Sequence, residues 1–89
     1  MEKYSEIFKA LAHPIRLKIV CGLIKKEQCN VSVMVDKLAL PQPTVSQHLN
    51  ILKNAGIIEG FRKGTQICYK VTNEETRKII GVLEELCEQ

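Results

Sequence analysis

The stretch Val31-Ser32-Val33-Met34-Val35-Asp36-Lys37-Leu38-Ala39-Leu40-Pro41-Gln42-Pro43-Thr44-Val45-Ser46-Gln47-His48-Leu49-Asn50-Ile51-Leu52-Lys53-Asn54-Ala55-Gly56 decides the fold. Asn30, just before it, is a residue type that caps helices, and the pattern predicts a helix from Val31 to Leu38. Ala39-Leu40-Pro41 breaks that helix. A second one runs from Gln42 to Asn54, with Val45, Leu49 and Leu52 on one apolar face. Gly56 closes it, because glycine accepts the left-handed conformation that ends helices. Two short helices joined by a tight turn make a helix-turn-helix.

Beyond Gly56 the apolar period changes from 3.6 to 2. Ile57–Arg62 reads as a strand, Lys63-Gly64 as a turn and Thr65–Val71 as the returning strand, a hairpin with a basic tip. Thr72-Asn73-Glu74-Glu75 fits a capping box with Thr72 as cap, opening a last helix that runs to about Glu88. Its apolar stripe is Ile79, Ile80, Leu83, Leu86 and Cys87.

Upstream, Tyr4–Ala12 reads as a short helix with Ile7, Phe8 and Leu11 on one face. His13 is a helix cap or linker residue. Pro14 suits a first helical position, and a helix follows from Pro14 to Lys26 with a stripe of Leu17, Val20, Cys21 and Ile24. The order is α-α-α-α-β-β-α, mainly α with a small β-hairpin. A helix-turn-helix followed directly by a hairpin is a winged helix-turn-helix.

The chain has 89 residues, of a length for one domain spanning 1–89. Aromatics make up only 4%, so Leu, Ile and Val must build the core, and so small a core favours oligomerisation. The formal charge is +3. Residues 73–89 hold Glu74, Glu75, Glu84, Glu85 and Glu88 against Arg77 and Lys78, so the basic excess lies upstream, where a polyanion would be attracted. No apolar run approaches the roughly 18 residues of a membrane span, and Met1-Glu2-Lys3-Tyr4 does not open a signal peptide. The expected location is the cytoplasm, where Cys21, Cys29, Cys68 and Cys87 do not form a disulfide framework. A cysteine enzyme needs a base beside its nucleophile, and His13 and His48 lie at a helix junction and on the second helix-turn-helix helix. No phosphate-binding glycine loop is present, and no enzyme activity is expected.

Ala10-Leu11-Ala12-His13-Pro14-Ile15-Arg16-Leu17-Lys18-Ile19-Val20, then Leu40 through Leu52, then Gly56-Ile57-Ile58 and Arg62-Lys63-Gly64 resemble the ArsR/SmtB family of bacterial repressors over nearly the whole chain. The resemblance implies a homodimer formed by the first and last helices, a duplex DNA operator with inverted-repeat symmetry, and an inducer that weakens operator binding.

In a helix-turn-helix the N-terminal residues of the second helix meet base edges in the major groove. These are Gln42, Pro43, Thr44, Ser46 and Gln47, whose amides and hydroxyls suit hydrogen bonds to bases and phosphates. Pro41 cannot supply a hydroxyl cap, and Thr44 as cap of a later-starting helix would shift that register. His48 fits either a DNA contact or the helix–core boundary. Arg62, Lys63 and Thr65 at the wing tip suit phosphate or minor-groove contact.

The metal-sensing members of the family offer two ligand sets to compare. Asn30 and Ser32 stand at the positions of a C-x-C pair, and the last helix has no His, so neither zinc site is expected and no cofactor is implied. Read as residues alone, Cys21 and Cys87 fit small buried hydrophobes or reactive thiols. Their places resemble the persulfide- and redox-sensing branch of the family, the HlyU, BigR and SqrR type. That implies sensing of a reactive sulfur species or oxidant by Cys21 and Cys87, with arsenite or another soft metal ion as the alternative inducer. Cys29 and Cys68 read as packing residues.

Overall fold

The computed structural model describes residues 1–87, with side chains as far as Glu85. Its elements are α1 (Glu2–Leu11), α2 (Pro14–Lys26), β1 (Cys29–Asn30), α3 (Val31–Leu38), α4 (Gln42–Asn54), β2 (Ile58–Lys63), β3 (Gln66–Val71) and α5 (Glu74–Cys87). This is the expected winged helix-turn-helix with one addition. The two-residue strand β1 pairs antiparallel with β3, Cys29 opposite Tyr69 and Asn30 opposite Cys68, so the wing is a three-stranded sheet in the order β1-β3-β2. A strand this short has no period to read, and its partner lies about forty residues away in sequence.

Local chemistry explains the helix ends. His13 is extended, and its Nδ1 accepts from the Ile15 N–H at 3.1 Å, capping α2 with Pro14 in the first turn. The Asn30 carboxamide oxygen accepts from Val33 N–H at 3.0 Å and caps α3. At the end of α4, Gly56 takes φ +78°, Gly56 N–H donates to Lys53 O and Ile57 N–H donates to Leu52 O. That six-to-one and five-to-two pair is a Schellman ending, and it aims the chain into β2.

Two features of the sequence reading shift. The hairpin closes on the pair Lys63–Gln66, so its turn is Gly64-Thr65 rather than Lys63-Gly64. Gly64 has φ +65°, the conformation a tight hairpin asks of its first central residue. The cap of α5 is Asn73, not Thr72: its Oδ1 accepts from Thr76 N–H at 2.7 Å and from the Thr76 hydroxyl at 2.6 Å. Asn73 wins because it also satisfies a hydroxyl that is wholly buried.

One apolar cluster joins the elements, including Ile7, Leu11, Ile19, Val20, Leu23, Met34, Val45, Leu49, Leu52, Ile57, Ile58, Val71 and Ile80. On α2 the buried face is Ile19, Val20 and Leu23; of the expected stripe Val20 enters the core, whereas Leu17, Cys21 and Ile24 are half-buried against it. On α1, Ile7, Ala10 and Leu11 are inside, and Phe8 is 55% exposed, turned about 100° from Ile7. Tyr4 on α1 and Val82 and Leu83 on α5 are exposed as well. No helix among the described residues is long and apolar enough to cross a membrane.

Candidate nucleic-acid interface

The candidate interface is α4 and the β2–β3 wing. Val45, Leu49 and Leu52 are buried at 0–1% exposure and bind α4 to the core. The helix therefore presents its other side, where Gln42, Pro43, Gln47 and Asn50 are exposed and Thr44 and Ser46 half-exposed. Asn50 was missed in the sequence reading. It lies one turn beyond Ser46 and Gln47, and that spacing is the signal that could have found it.

The start of α4 settles its register. Pro41 carries no side-chain cap, and its carbonyl accepts from both Thr44 N–H and Val45 N–H at 3.1 Å. Pro43 removes one of the backbone donors that a helix N-terminus leaves unsatisfied. The helix starts at Gln42 without a hydroxyl cap, so Thr44 does not begin a later one.

His48 points back toward α2. It is half-buried, its Nδ1 lies 3.2 Å from Arg16 Nη1, and its ring centroid is 4.6 Å from that of His13. Arginine only donates, so His48 Nδ1 accepts and its ring is neutral in this arrangement. Burial above all, then the charges of His13 and Arg16, holds the His48 imidazole below its ordinary pKa of 6.5. Arg16 is fixed from its other side by donating through Nε to the Ala10 carbonyl of α1. One histidine thus caps α2, and the other ties α4 to it.

The wing tip, Arg62, Lys63, Gly64 and Thr65, is exposed throughout. Below it Lys70 lies over the Phe61 ring at 5.4 Å. The Tyr69 ring covers Gly60, where an added Cβ would meet it at 3.1 Å. Asn30 does a second job: its Nδ2 donates to Gln66 Oε1 at 2.7 Å, so the residue capping α3 also holds the strand next to the wing turn.

Cys68 is buried at 6%, in keeping with a packing role. Cys29 is half-buried in strand β1 of the same sheet. Cys21 is half-buried on α2, whereas the side chain of Cys87 lies outside the described residues. Lys25 on α2 and Glu84 on α5 approach to 4.0 Å. Among the described residues no three His, Cys, Asp or Glu side chains cluster for a metal ion.

Residues 13–60 match the model of the bacterial regulatory protein, arsR family. The chain belongs to that family. It is 43% identical to the HTH-type transcriptional regulator MJ1325 of Methanocaldococcus jannaschii over 97% of this chain and 100% of that one. The solved transcriptional repressor PagR of Bacillus anthracis superposes with a TM-score of 0.85 at 40% identity, covering 92% of this chain and 93% of PagR. Reduced HlyU from Vibrio cholerae N16961 superposes with a TM-score of 0.91 at 28% identity, over 99% and 92% of the two chains. The resemblance drawn from the sequence therefore holds at the level of the family. This ArsR-family chain is a transcriptional regulator and not an enzyme.

Proposed function

We propose that this regulator is a cytoplasmic homodimeric repressor, one domain over residues 1–89. It reads an inverted-repeat operator in duplex DNA with α4 and the wing, and modification of Cys21 and Cys87 releases it. The observation that carries the DNA reading is the polar row Gln42, Thr44, Ser46, Gln47 and Asn50 on a helix whose opposite side is locked in the core, beside an exposed Arg62-Lys63-Gly64-Thr65 tip. Pro43 is exposed in the same row, and His48 serves by holding the helix at its angle. The dimer reading is supported by Tyr4 and Phe8 on α1 and Val82 and Leu83 on α5, large apolar groups left exposed on the first and last helices.

The thiol reading is supported by Lys25 and Glu84. Lys25 lies one turn after Cys21 and Glu84 one turn before Cys87, and the two side chains approach to 4.0 Å, linking α2 to α5 at this point. A Cys21 or Cys87 thiolate attacks the outer sulfur of a persulfide donor R–S–SH, forming Cys–S–SH and releasing R–S⁻. The second thiolate then attacks the sulfur bound to carbon, closing a Cys–S–S–Cys bond and releasing HS⁻. The donor is reduced and the two cysteines are oxidised. The bridge would tie α5 to α2 and so bear on the spacing of two recognition helices in a dimer.

The test is selection from random DNA, then operator titration of the parent, Cys21→Ser and Cys87→Ser proteins with and without a persulfide donor. Preference for an inverted repeat, and release lost in both variants, are the expected results. No sequence preference sinks the DNA reading. Release that survives Cys87→Ser sinks the thiol pair, and release by arsenite but not the donor replaces it with thiolate coordination of a soft ion.

A further inference from the structure

Between α2, β1 and α3 lies a cavity of about 70 Å³ that the DNA surface and the Cys21–Cys87 reading do not use. Its apolar wall is Ile19, Leu23, Met34 and Leu38, and Cys29 borders it. Three lysines, Lys18 and Lys26 of α2 and Lys37 of α3, line it too. Among the described residues none of the three is ion-paired, the one salt bridge being Lys25–Glu84. Lys26 and Lys37 face the same cavity from two helices, and the neighbouring Lys26 first, then burial, hold the Lys37 ammonium below its ordinary pKa, with Cys29 acting the other way. Two cationic side chains facing one cavity disfavour each other, and an anion seated between them offsets the repulsion.

We infer that this cavity binds a small carboxylate with a short alkyl body, the carboxylate between Lys26 and Lys37 and the alkyl group against Met34 and Leu38. One water needs at least roughly 10–15 Å³ of such space, so 70 Å³ suits a ligand of a few non-hydrogen atoms. Propionate is that size. An inorganic anion satisfies the lysines and leaves the apolar wall wet, whereas a neutral alcohol or amide does the reverse.

Two features of the site make it testable. Cys29 borders the cavity, so an occupant shields its thiol. Gly22 also lines it, and a Cβ added there meets no atom within 4 Å. Side chains at position 22 therefore enter open space, and replacing a mid-helix glycine also favours the helix.

The experiment measures the rate at which iodoacetamide alkylates Cys29, located by peptide mass spectrometry, at constant ionic strength with propionate, propionamide or chloride. The expected result is at least a fivefold slowing by propionate, half-maximal on the order of a millimolar for so small a ligand. Propionamide and chloride should slow it less than twofold. Lys37→Gln should remove the propionate effect, and Gly22→Leu should slow alkylation without ligand and leave nothing for propionate to add. Equal protection by propionamide, no protection by propionate, or protection that survives Lys37→Gln overturns the inference. Thermal unfolding of each variant confirms that it is folded. The readout requires no DNA, so it stands or falls apart from the operator reading.

Discussion

Asn30 is predicted to carry two separable roles, and three substitutions divide them. Its Oδ1 caps α3 through Val33 N–H, and its Nδ2 holds Gln66 beside the wing turn. Removing an Asn cap costs about 1 kcal/mol. An exposed neutral hydrogen bond adds about 0.5 kcal/mol. Asn30→Ala should therefore lose about 1.5 kcal/mol, and at roughly 4–8 °C per kcal/mol for a domain of this size the melting temperature should drop by about 6–12 °C. Asn30→Asp keeps the acceptor, and its charge suits a helix N-terminus, so it should melt within about 3 °C of the parent. It cannot donate to Gln66. Gln66→Ala removes only the tether and should cost about 2–4 °C, yet it should weaken DNA binding more than that loss suggests, because the wing is then held by strand pairing alone. The assay is thermal unfolding by circular dichroism at one protein concentration, since association makes the midpoint concentration-dependent, together with DNA titration of Gln66→Ala. If Asn30→Asp melts as low as Asn30→Ala, the cap is not the main term. If Gln66→Ala binds DNA like the parent, the tether does not position the wing.

Three further outcomes follow from the same geometry. The His48 pKa is depressed in the folded state, so its contribution to stability is fully present above about pH 6.5 and is lost as pH falls through the lower folded value. The melting temperature should fall between pH 7 and pH 5, and His48→Asn, which keeps an acceptor for Arg16 without titrating, should flatten that slope. Asn73→Ala strips the α5 cap and leaves the buried Thr76 hydroxyl without its acceptor, a loss of about 2–4 kcal/mol. Adding Thr76→Val should recover part of it, and strictly additive chemical-denaturation free energies would refute the coupling. Lys63→Ala at the wing tip should weaken binding to all duplexes alike and lower the slope of log affinity against log salt by about one, whereas an unchanged slope would remove Lys63 from the phosphate contacts.

Much of this architecture was legible in the chain because its determinants act over one or two turns. Pro14 and Lys26 bound α2, Asn30 starts α3, Gln42 and Asn54 bound α4, and each boundary agrees with the sequence reading. Val45, Leu49 and Leu52 announce the buried side of α4 by spacing alone, so its polar side was legible too. What tertiary structure decided depends on partners distant in sequence. Strand β1 exists because β3 offers Tyr69 and Cys68 to a two-residue segment that has no pattern of its own. Asn73 rather than Thr72 caps α5 because Thr76 is wholly buried and needs an acceptor. Phe8 leaves the core although its neighbours enter it, because the packing on α1 selects Ile7 and Leu11 and one residue turns the helix by 100°. Read separately, His13 is a cap or linker residue and His48 fits either a DNA contact or the helix–core boundary, yet folding sets their rings 4.6 Å apart and bonds His48 to Arg16. Periodicity tells which residues share a face, but only the packed chain sets what that face meets, because the energy of a contact depends on the atoms brought to it and not on their order along the backbone.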